Sequence, residues 1–393
     1  MPFQSKRVSN ILEAGKSGWE VHFEALKRKR AGDDIIMLSI GEHDFPSPPE
    51  TVEACIVALR SGHHHYTDLP GLPQLRQAMA KVTFQSTGVA TNADQVIATA
   101  GGQGALFAAI QATIDPGDHA IVVGPYYATY PGSFRIAGGD FSVANTRAED
   151  DFEPKLAMLE AALQSRTRAV LINSPNNPTG AVYSKQTMEM IAQFCVRHDL
   201  WLLSDEVYWT HAGQAAAHVS PLALPGMQER TLVINSVSKS HGMTGWRVGW
   251  LRGPEPLIKT MMGINLVVTY GLSDFVSRAA AAALEGDWGV AEITARYTSR
   301  RQLFTSAFDG SVGVVVRGSK GGMYAMLDVR AVEPDGEKFA FALLQAEGVA
   351  VMPGESFGVA AAGHVRVSLV HDAAVLSQAI LRIKRFIATI AGN

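Results

Sequence analysis

The sequence predicts an α/β fold in which a mainly parallel sheet lies between helices and a smaller α/β lobe follows. Apolar runs of strand length alternate with helical runs from about Asp94 to Leu251. This alternation is typical of right-handed βαβ units, whose strands are buried on both faces. From about Ala291 onward, shorter strands are interleaved with helices. The change indicates a second lobe with a sheet of its own.

The elements of the first lobe are recognised by their apolar runs and by how the runs end. Each predicted strand is a short apolar segment that stops at polar residues or glycine. The strands are DQVIATA from Asp94, DHAIVVG, RAVLINS, LWLLSD and TLVINSV. Two helices, GGQGALFAAI from Gly101 and KQTMEMIAQFCVRH, fall between strands. We expect such helices to cover both faces of the sheet.

The second lobe is predicted from a longer and more irregular pattern. A polar helix is expected from Ala291 to Phe308, and another from Lys338 to Glu347. The strands are SVGVVVRG, GGMYAMLDV, VAVMPG and HVRVSL, and a closing helix begins at Asp372. No internal repeat is present.

Composition excludes several classes of protein. Over 393 residues the formal net charge is −3, which gives no basic surface for nucleic acid. The first residues, MPFQSKRVSNILEAGKSG, lack the apolar core of a signal peptide, and no apolar run approaches the length of a membrane span. We therefore expect a cytoplasmic protein. Cys55 and Cys195 lie far apart in sequence, so we expect reduced, packed thiols rather than a disulfide framework.

Lys239 is the strongest candidate for a reactive amine. It lies in SVSKSHGMTGWRVGW, among hydroxyl groups and glycines, directly after the apolar strand TLVINSV. Burial disfavours the charged form of an amine, and a neutral amine attacks a carbonyl carbon to form a Schiff base. The alternative is a buried lysine stem whose ammonium group reaches water.

Three other strand ends carry polar groups that complement this amine. RAVLINSPNNPTG ends in a Pro/Asn/Gly turn, and LWLLSDEVY ends in carboxylates. The strand before Gly101 and Gly102 leads into a helix whose free N–H groups can bind phosphate. Ligands of open α/β sheets bind where such strand ends converge. The sequence thus predicts an anion site, an acid and an amine at one edge of the sheet.

With these segments in order, the chain resembles the pyridoxal-phosphate aminotransferases of fold type I, class I/II. The matching segments are LSIGEHDFPSPP, YTDLPGLPQLRQAMA, TAGGQGALF, DPGDHAIVVGPYYATY, NNPTG, SDEVY, SVSKSHGMTGWRVG and RVSL. Their order and spacing are specific, whereas each short segment alone is not. The resemblance implies a large cofactor-binding domain over residues 48–285, with a seven-stranded sheet. It implies a small domain from residues 1–47 and 286–393, which includes an N-terminal arm.

The resemblance also implies roles around the cofactor, pyridoxal 5'-phosphate. Lys239 would form the Schiff base and, once released, move the proton from the substrate Cα. Asp205 would face the pyridine nitrogen and keep it protonated, which makes the ring an electron sink. Asn177 and Tyr208 would hydrogen-bond the 3'-oxygen, and Tyr208 is counted with Lys239 and Asp205 as catalytic. Tyr127 would stack on the ring. A turn asparagine and packed core tyrosines are the structural alternatives.

The cofactor's phosphate has its own set of expected ligands. By the same resemblance, Gly102 and Gln103 at a helix start, Ser236 and Arg247 would bind it. A planar guanidinium suits a dianionic phosphate because it can donate two parallel hydrogen bonds. Tyr66 is expected to reach the phosphate from a neighbouring subunit, which implies a homodimer.

The substrate's α-carboxylate is expected to pair with Arg366, with the backbone of Gly41 and the side chain of Asn177 nearby. A turn glycine is the alternative for Gly41. Relatives that prefer aspartate often have lysine at the position of Gln103, so a donor with a side-chain carboxylate would lack that partner here. His43 is expected either to contact a substrate side chain or to be a solvated loop residue.

We therefore predict an aminotransferase that moves an amino group from an L-amino acid to a 2-oxo acid by a ping-pong mechanism. A pyridoxal-phosphate-dependent C–S β-lyase or decarboxylase is the alternative, since the cofactor stabilises any Cα carbanion and the pocket decides its fate. A cofactor-binding regulator without turnover is disfavoured, because nothing before residue 38 resembles a DNA-binding head.

Other motifs carry less weight. Ser236 and Lys239 also match the S-x-x-K motif of penicillin-recognising acyl enzymes, but the S-D-N and K-T-G partners are missing. His63, His64 and His65 are successive, so they point in different directions and do not have metal-ligand spacing. No metal site is expected.

Overall fold

The computed structural model describes residues 11, 18–213 and 217–391. Its first elements are helix α1 (Trp19–Arg30) and the short strand β1 (Ile36–Met37). Helices α2 (Pro49–Arg60) and α3 (Pro73–Thr87) follow and lead into the main sheet. Residues 1–10 and 12–17, which include most of the predicted N-terminal arm, lie outside the described residues.

A seven-stranded sheet forms the centre of the larger lobe. Its strands are β2 (Val96–Ala100), β3 (His119–Gly124), β4 (Asp140–Asn145), β5 (Thr167–Asn173), β6 (Trp201–Asp205), β7 (Thr231–Ser236) and β8 (Val248–Arg252). Their order across the sheet is β2-β8-β7-β6-β5-β3-β4. Strand β8 is antiparallel to both of its neighbours, and all other pairs in the sheet are parallel.

Helices cover the sheet. The strands β3 and β7 are buried along their whole length, which explains why they are continuous apolar runs instead of alternating ones. The helices are α4 (Gly101–Thr113), α5 (Tyr130–Ala137), α6 (Leu156–Ala162), α7 (Lys185–Arg197), α8 (Val237–Ser240), α9 (Glu255–Val268) and α10 (Asp274–Gly286). None of the helices that the structure describes combines the length and the apolar character needed to cross a bilayer.

The direction of the strands determines where a ligand can bind. Strands β3, β5, β6 and β7 are parallel, and β2 runs the same way because both β2 and β7 are antiparallel to β8. Their carboxyl ends therefore meet at one edge of the sheet. The helix start at Gly101, the turn after Asn173, the carboxylate of Asp205 and the residues after Ser236 all lie at this edge.

A second lobe follows the long helix α11 (Val290–Phe308). Its elements are β9 (Val315–Arg317), β10 (Tyr324–Asp328), α12 (Gly336–Glu347), β11 (Val349–Ala350), β12 (Met352–Pro353), β13 (His364–Ser368) and α13 (Ala373–Ala391). Four of the strands form an antiparallel sheet in the order β12-β13-β10-β9. Strand β11 pairs in parallel with β1, and one apolar core joins Val21 and Leu38 to Leu343 and Ile383. The residues just before the larger lobe thus pack with the second lobe.

The predicted fold class is confirmed, with two local differences. Strands β4 and β8 are not apparent in the apolar-run pattern. β4 is an edge strand whose residues are mostly half-exposed, and β8 is a short run that contains Gly249. The predicted strand VAVMPG is two short strands that pair with different neighbours.

Candidate active site

A cavity of about 380 Å³ opens at the carboxyl edge of the seven-stranded sheet, against the second lobe. Of the residues predicted for the site, only Tyr66 is absent from its lining. The others line it together: Gly41, Gly102, Gln103, Tyr127, Asn177, Asp205, Tyr208, Ser236, Lys239, Arg247 and Arg366. Residues more than 300 positions apart in sequence therefore surround one space.

Lys239 lies on the four-residue helix α8, directly after strand β7. Its Nζ donates a hydrogen bond of 2.7 Å to the carbonyl oxygen of Gly41. A Cβ on Gly41 would overlap the hydroxyl group of Tyr324. Position 41 therefore has no room for a side chain, and the conformation of the segment that meets Lys239 depends on glycine.

The Asp205 carboxylate is buried at the end of β6. Its Oδ2 accepts a hydrogen bond of 2.6 Å from the hydroxyl group of Tyr130, and its Oδ1 accepts one from the backbone N–H of Val207. Burial raises the pKa of Asp205 to about 6, although these two hydrogen bonds act in the opposite direction. A buried carboxylate with a raised pKa is stabilised by any cationic partner.

Arg366 lies on β13 and is almost fully buried. It donates to the Oδ1 of Asn177 at 3.0 Å and to the carbonyl oxygen of Ser39 at 2.5 Å. Its guanidinium carbon lies 4.4 Å from the ring centre of Tyr324 and 4.8 Å from that of Phe357. Its buried Nε has no hydrogen-bond partner among the described residues. A carboxylate would satisfy this donor and neutralise the guanidinium.

Asn177 and Tyr208 are buried beside this arginine and Asp205. The side chain of Asn173 fixes the turn, because its Oδ1 accepts from the backbone N–H of Asn177 at 2.7 Å. The hydroxyl of Tyr208 donates to that of Tyr324 at 3.3 Å. Burial raises the pKa of Tyr208 well above its ordinary value, so the phenol is a neutral hydrogen-bond donor.

The start of helix α4 lies beside Arg247 at one end of the cavity. A Cβ on Gly101, whose φ is +74°, would lie 2.3 Å from a terminal nitrogen of Arg247. A Cβ on Gly249 would lie 2.4 Å from the backbone of Gly101. Among the residues that the structure describes, no carboxylate lies within ion-pair distance of Arg247. Nearby, the hydroxyl group of Ser236 donates a hydrogen bond of 2.8 Å to the carbonyl oxygen of Val248. A cation beside unpaired helix N–H groups is suited to phosphate.

The side chain of Gln103 is held by two hydroxyl groups. Its Oε1 accepts from Thr129 at 2.9 Å and its Nε2 donates to Ser133 at 3.2 Å. The side chain is exposed and neutral. Within the described part of the chain, the only cations in the lining are Lys239, Arg247 and Arg366.

Tyr127 and Tyr66 differ in their position relative to the cavity. Tyr127 lines it and packs edge-on against Tyr130, with ring centres 5.9 Å apart. Tyr66 is 84% exposed, lies outside the lining, and contacts the ring of Tyr270 at 4.8 Å. The structure therefore leaves Tyr66 available to a neighbouring molecule and places it outside the site of its own chain.

Several residues around the cavity were not assigned a role from the sequence. Tyr130 holds Asp205, and Tyr324 contacts both Tyr208 and Arg366. Tyr130 lies in the segment GPYYATY, so the sequence shows an aromatic residue there but does not show that its side chain points to Asp205. His43 is neither solvated nor in the lining; it is half-buried and bonded to Tyr297 and Ser238, because Phe45 and helix α11 cover it.

The three successive histidines do not form a metal site. No group of three potential metal ligands occurs among the described residues. His63 contacts Asp274 at 3.4 Å, and His64 bonds to the carbonyl of Leu59.

The lining fits pyridoxal 5'-phosphate. An amine, a buried carboxylate with a raised pKa and a guanidinium beside a helix start correspond to the aldehyde, the pyridine nitrogen and the phosphate. The unpartnered Nε of Arg366 remains for a substrate carboxylate.

Comparisons with known proteins agree with this fit. A sequence model described as Aminotransferase class I and II matches residues 33–383. The arginine–pyruvate transaminase of Pseudomonas aeruginosa is 40% identical over 387 residues, with 98% of each chain covered. The aspartate/prephenate aminotransferase of Thermus thermophilus is 37% identical over 369 residues, with 93% of this chain and 94% of that one covered. The structure of an aspartate aminotransferase from Thermus thermophilus with maleate superposes with a TM-score of 0.92 at 36% identity, covering 98% and 100% of the two chains.

Proposed function

The chain belongs to the class I and II aminotransferases, which use pyridoxal 5'-phosphate, and we propose that the cavity beside Lys239 is its active site. There it exchanges an amino group between an L-amino acid and a 2-oxo acid. The observation that carries the proposal is that the amine of Lys239, the carboxylate of Asp205 and the guanidinium of Arg366 line one cavity. The three groups suit, respectively, an aldehyde, a ring cation and an α-carboxylate.

The larger lobe holds the cofactor. Pyridoxal 5'-phosphate supplies an aldehyde that condenses with amines and a cationic ring that accepts the electron pair left when a Cα proton is removed. Asp205 would keep the ring nitrogen protonated, and Tyr130 fixes the carboxylate that would do so. Arg247, Ser236 and the start of α4 at Gly102 and Gln103 would bind the phosphate. Asn177 and Tyr208 would donate to the 3'-oxygen, and Tyr127 would cover one face of the ring.

Lys239 and Arg366 act on the substrate. Arg366 orients the amino acid by its α-carboxylate, and the rings of Tyr324 and Phe357 keep that guanidinium in place and away from water. Lys239 Nζ would take up the proton from the substrate Cα and later release it. The segment around Gly41 connects the two residues. The carbonyl oxygen of Gly41 accepts a hydrogen bond from Lys239, and the carbonyl oxygen of Ser39 accepts one from Arg366.

The amino donor that the cavity suits best has no carboxylate in its side chain. Once Lys239, Arg247 and Arg366 are assigned, no cation remains in the described lining for a second carboxylate. Among the described lining residues the one unassigned charge is that of Glu42, whose carboxylate accepts a hydrogen bond from Thr244 at 2.5 Å. A relative at 40% identity is named arginine–pyruvate transaminase. Arginine and pyruvate are therefore the first pair to test.

A half-reaction tests the proposed function directly. The purified holoprotein is mixed with one amino acid at a time, without an oxo acid, and the 2-oxo acid product is quantified. We expect about one equivalent per subunit with the right donor, since a ping-pong enzyme stops after its cofactor is aminated. Steady-state double-reciprocal plots should then be parallel. Intersecting lines, or continuous release of ammonia and oxo acid without an acceptor, would contradict the proposal.

We also propose that the active form is a homodimer in which Tyr66 of each subunit reaches the cofactor phosphate of the other. The support is an exposed apolar surface around Tyr66, formed with Tyr270, Val267 and Val268. Light scattering of the holoprotein tests this: an active monomer would contradict it. In a dimer, Y66F should weaken cofactor binding about tenfold, the effect of one charge-assisted hydrogen bond.

The domain boundaries near residues 48 and 286 are part of the same proposal. Residues 21–38 share their core with residues 304–387, which supports assigning the N-terminal segment to the small domain. Limited proteolysis with mass analysis of the fragments can locate the exposed connections.

A further inference from the structure

The segment from Ser39 to Asp44, called here the strap, connects the second lobe to the lysine. Five of the six residues of the strap make hydrogen bonds to other segments: Ser39 to Arg366, Gly41 to Lys239, Glu42 to Thr244, His43 to Ser238 and Asp44 to Arg300. The contact of His43 differs from the others because it holds the backbone carbonyl of Ser238, the residue directly before Lys239.

The hydrogen bonds of His43 define its tautomer. Its Nε2 lies 3.1 Å from the carbonyl oxygen of Ser238, which can only accept, so Nε2 carries the proton. Its Nδ1 lies 2.9 Å from the hydroxyl of Tyr297 and must then accept from it. The ring is neutral: burial first, and then the charge of Lys239, lower the pKa of His43 to about 4.

The two neighbours of the imidazole differ in how well their own helices hold them. Tyr297 is fully buried on helix α11, and burial raises its pKa, so its hydroxyl stays protonated. Ser238 precedes Lys239 on α8, a helix of only four residues whose few internal hydrogen bonds cannot fix it alone. Asp44 next to His43 is held by Arg300, which lies on the same helix as Tyr297.

We propose that His43 is a positioning residue for Lys239: its Nε2–H holds the carbonyl of Ser238 and so aims the lysine side chain into the cavity. His43 lies outside the lining of that cavity and therefore acts through the backbone that carries Ser238 and Lys239. This inference rests on the proposed role of Lys239 in the active site.

Two variants with a side-chain amide in place of the imidazole test its two hydrogen bonds separately. In His43→Gln the terminal amide can occupy the place of Nε2 and keep the bond to Ser238. In His43→Asn the amide can occupy the place of Nδ1 and keep the bond to Tyr297. His64→Asn is the matched control, since His64 makes the same kind of bond, from Nε2 to the carbonyl of Leu59, on an exposed turn.

The first readout is capture of the cofactor, which does not depend on turnover. Apoprotein is mixed with pyridoxal 5'-phosphate, borohydride is added at intervals, and the labelled peptide is quantified by mass spectrometry. We expect His43→Asn to label Lys239 about tenfold more slowly than wild type, because a misaimed amine reaches its target less often. His43→Gln and His64→Asn should label at nearly the wild-type rate.

The second readout is the split between kcat and KM. His43→Asn should lower kcat about tenfold with KM changed less than about twofold, since Arg366 is untouched. Thermal unfolding of all variants measures any general loss of stability. Equal losses in His43→Asn and His43→Gln, or a loss that follows Tm across the variants, would overturn this inference alone. Labelling of wild type at a lysine other than Lys239 would overturn the proposed function and this inference with it.

Discussion

The proposed cofactor end and the proposed substrate end of the cavity are built from different parts of the chain. The cofactor end, with Gly102, Asp205, Ser236 and Arg247, belongs to strand ends and helix starts of one sheet. The substrate end, with Gly41 and Arg366, is formed by the strap and by β13 of the second lobe. Parallel strands impose the first arrangement, whereas the second depends on how two lobes pack. Substitutions should therefore affect cofactor binding or substrate binding separately.

Lys239 lies where the two ends meet, so its loss should have the largest effect. We expect Lys239→Ala to lower kcat by about 10⁴-fold, because both the covalent attachment and the proton transfer depend on its Nζ. The measurement is steady-state turnover together with borohydride trapping of the cofactor. Lys259→Ala is the control, since Lys259 is an exposed lysine paired with Glu255. Trapping on protein that persists in Lys239→Ala would contradict the assignment.

Asp205 tests the cofactor end by itself. We expect Asp205→Asn to lower kcat by about a hundredfold, because an amide cannot hold the proton on the ring nitrogen. KM for the amino donor should change much less, since Arg366 is unaffected. Asp199→Asn, at a carboxylate whose side chain is 93% exposed, is the control. A change in KM of the same size as the change in kcat would mean that the two ends are not separable.

The pKa of Asp205 predicts how stability depends on pH. In the apoprotein this pKa is about 6 against an ordinary value of 3.8, so the folded state favours the protonated carboxyl. This stabilisation is complete below pH 3.8 and is lost as the pH rises through about 6, a loss of about 3 kcal/mol. The cofactor's ring cation compensates the ionised carboxylate. The difference in Tm between holoprotein and apoprotein should therefore grow from pH 5 to pH 7, and it should stay flat in Asp205→Asn.

Arg366 tests the substrate end. We expect Arg366→Lys to raise KM for the amino donor about thirtyfold, because an ammonium group cannot make the paired hydrogen bonds of a guanidinium with a carboxylate. Cofactor affinity, measured by titration of the apoprotein, should stay within about twofold. Arg168→Lys, at an exposed ion pair with Asp118, is the matched control. Loss of cofactor in Arg366→Lys would show that β13 also supports the cofactor end.

The cofactor end was the easier one to predict from the sequence. Asp205 and Lys239 each follow an apolar run directly, and parallel strands bring their carboxyl ends to one edge whatever the details of packing. The pattern of strands is therefore sufficient to place these two residues together. Strand β4 was missed because an exposed edge strand has no continuous apolar run.

The substrate end was predicted through resemblance and not through physical pattern. Gly41 and Arg366 are 325 positions apart, and only the tertiary packing of the second lobe brings the strap against β13. The contacts that arise from this packing, such as Tyr130 with Asp205 or His43 with Ser238, depend on side-chain direction. A single sequence specifies residue types, while such directions follow from tertiary contacts.

Gln103 is the residue at which the separation of the two ends can fail, because it lies on the cofactor-binding helix α4 and yet faces the substrate's space. In Gln103→Lys an ammonium group would enter a lining that has no spare cation among its described residues. We expect kcat/KM for aspartate to rise about tenfold, the effect of one partly desolvated ion pair, and kcat/KM for arginine to fall.

The matched control for this substitution is Gln103→Leu, which removes the amide from Thr129 and Ser133 without adding charge. If charge is the cause, Gln103→Leu gives aspartate no advantage, and the gain in Gln103→Lys declines with ionic strength because exposed charges are screened. If both variants gain equally, the wild-type amide excludes aspartate by its size and hydrogen bonds and not by its neutrality. If neither gains, substrate selection belongs to the strap and to β13 alone, and the two ends of the cavity are independent even at the residue where they are closest in function.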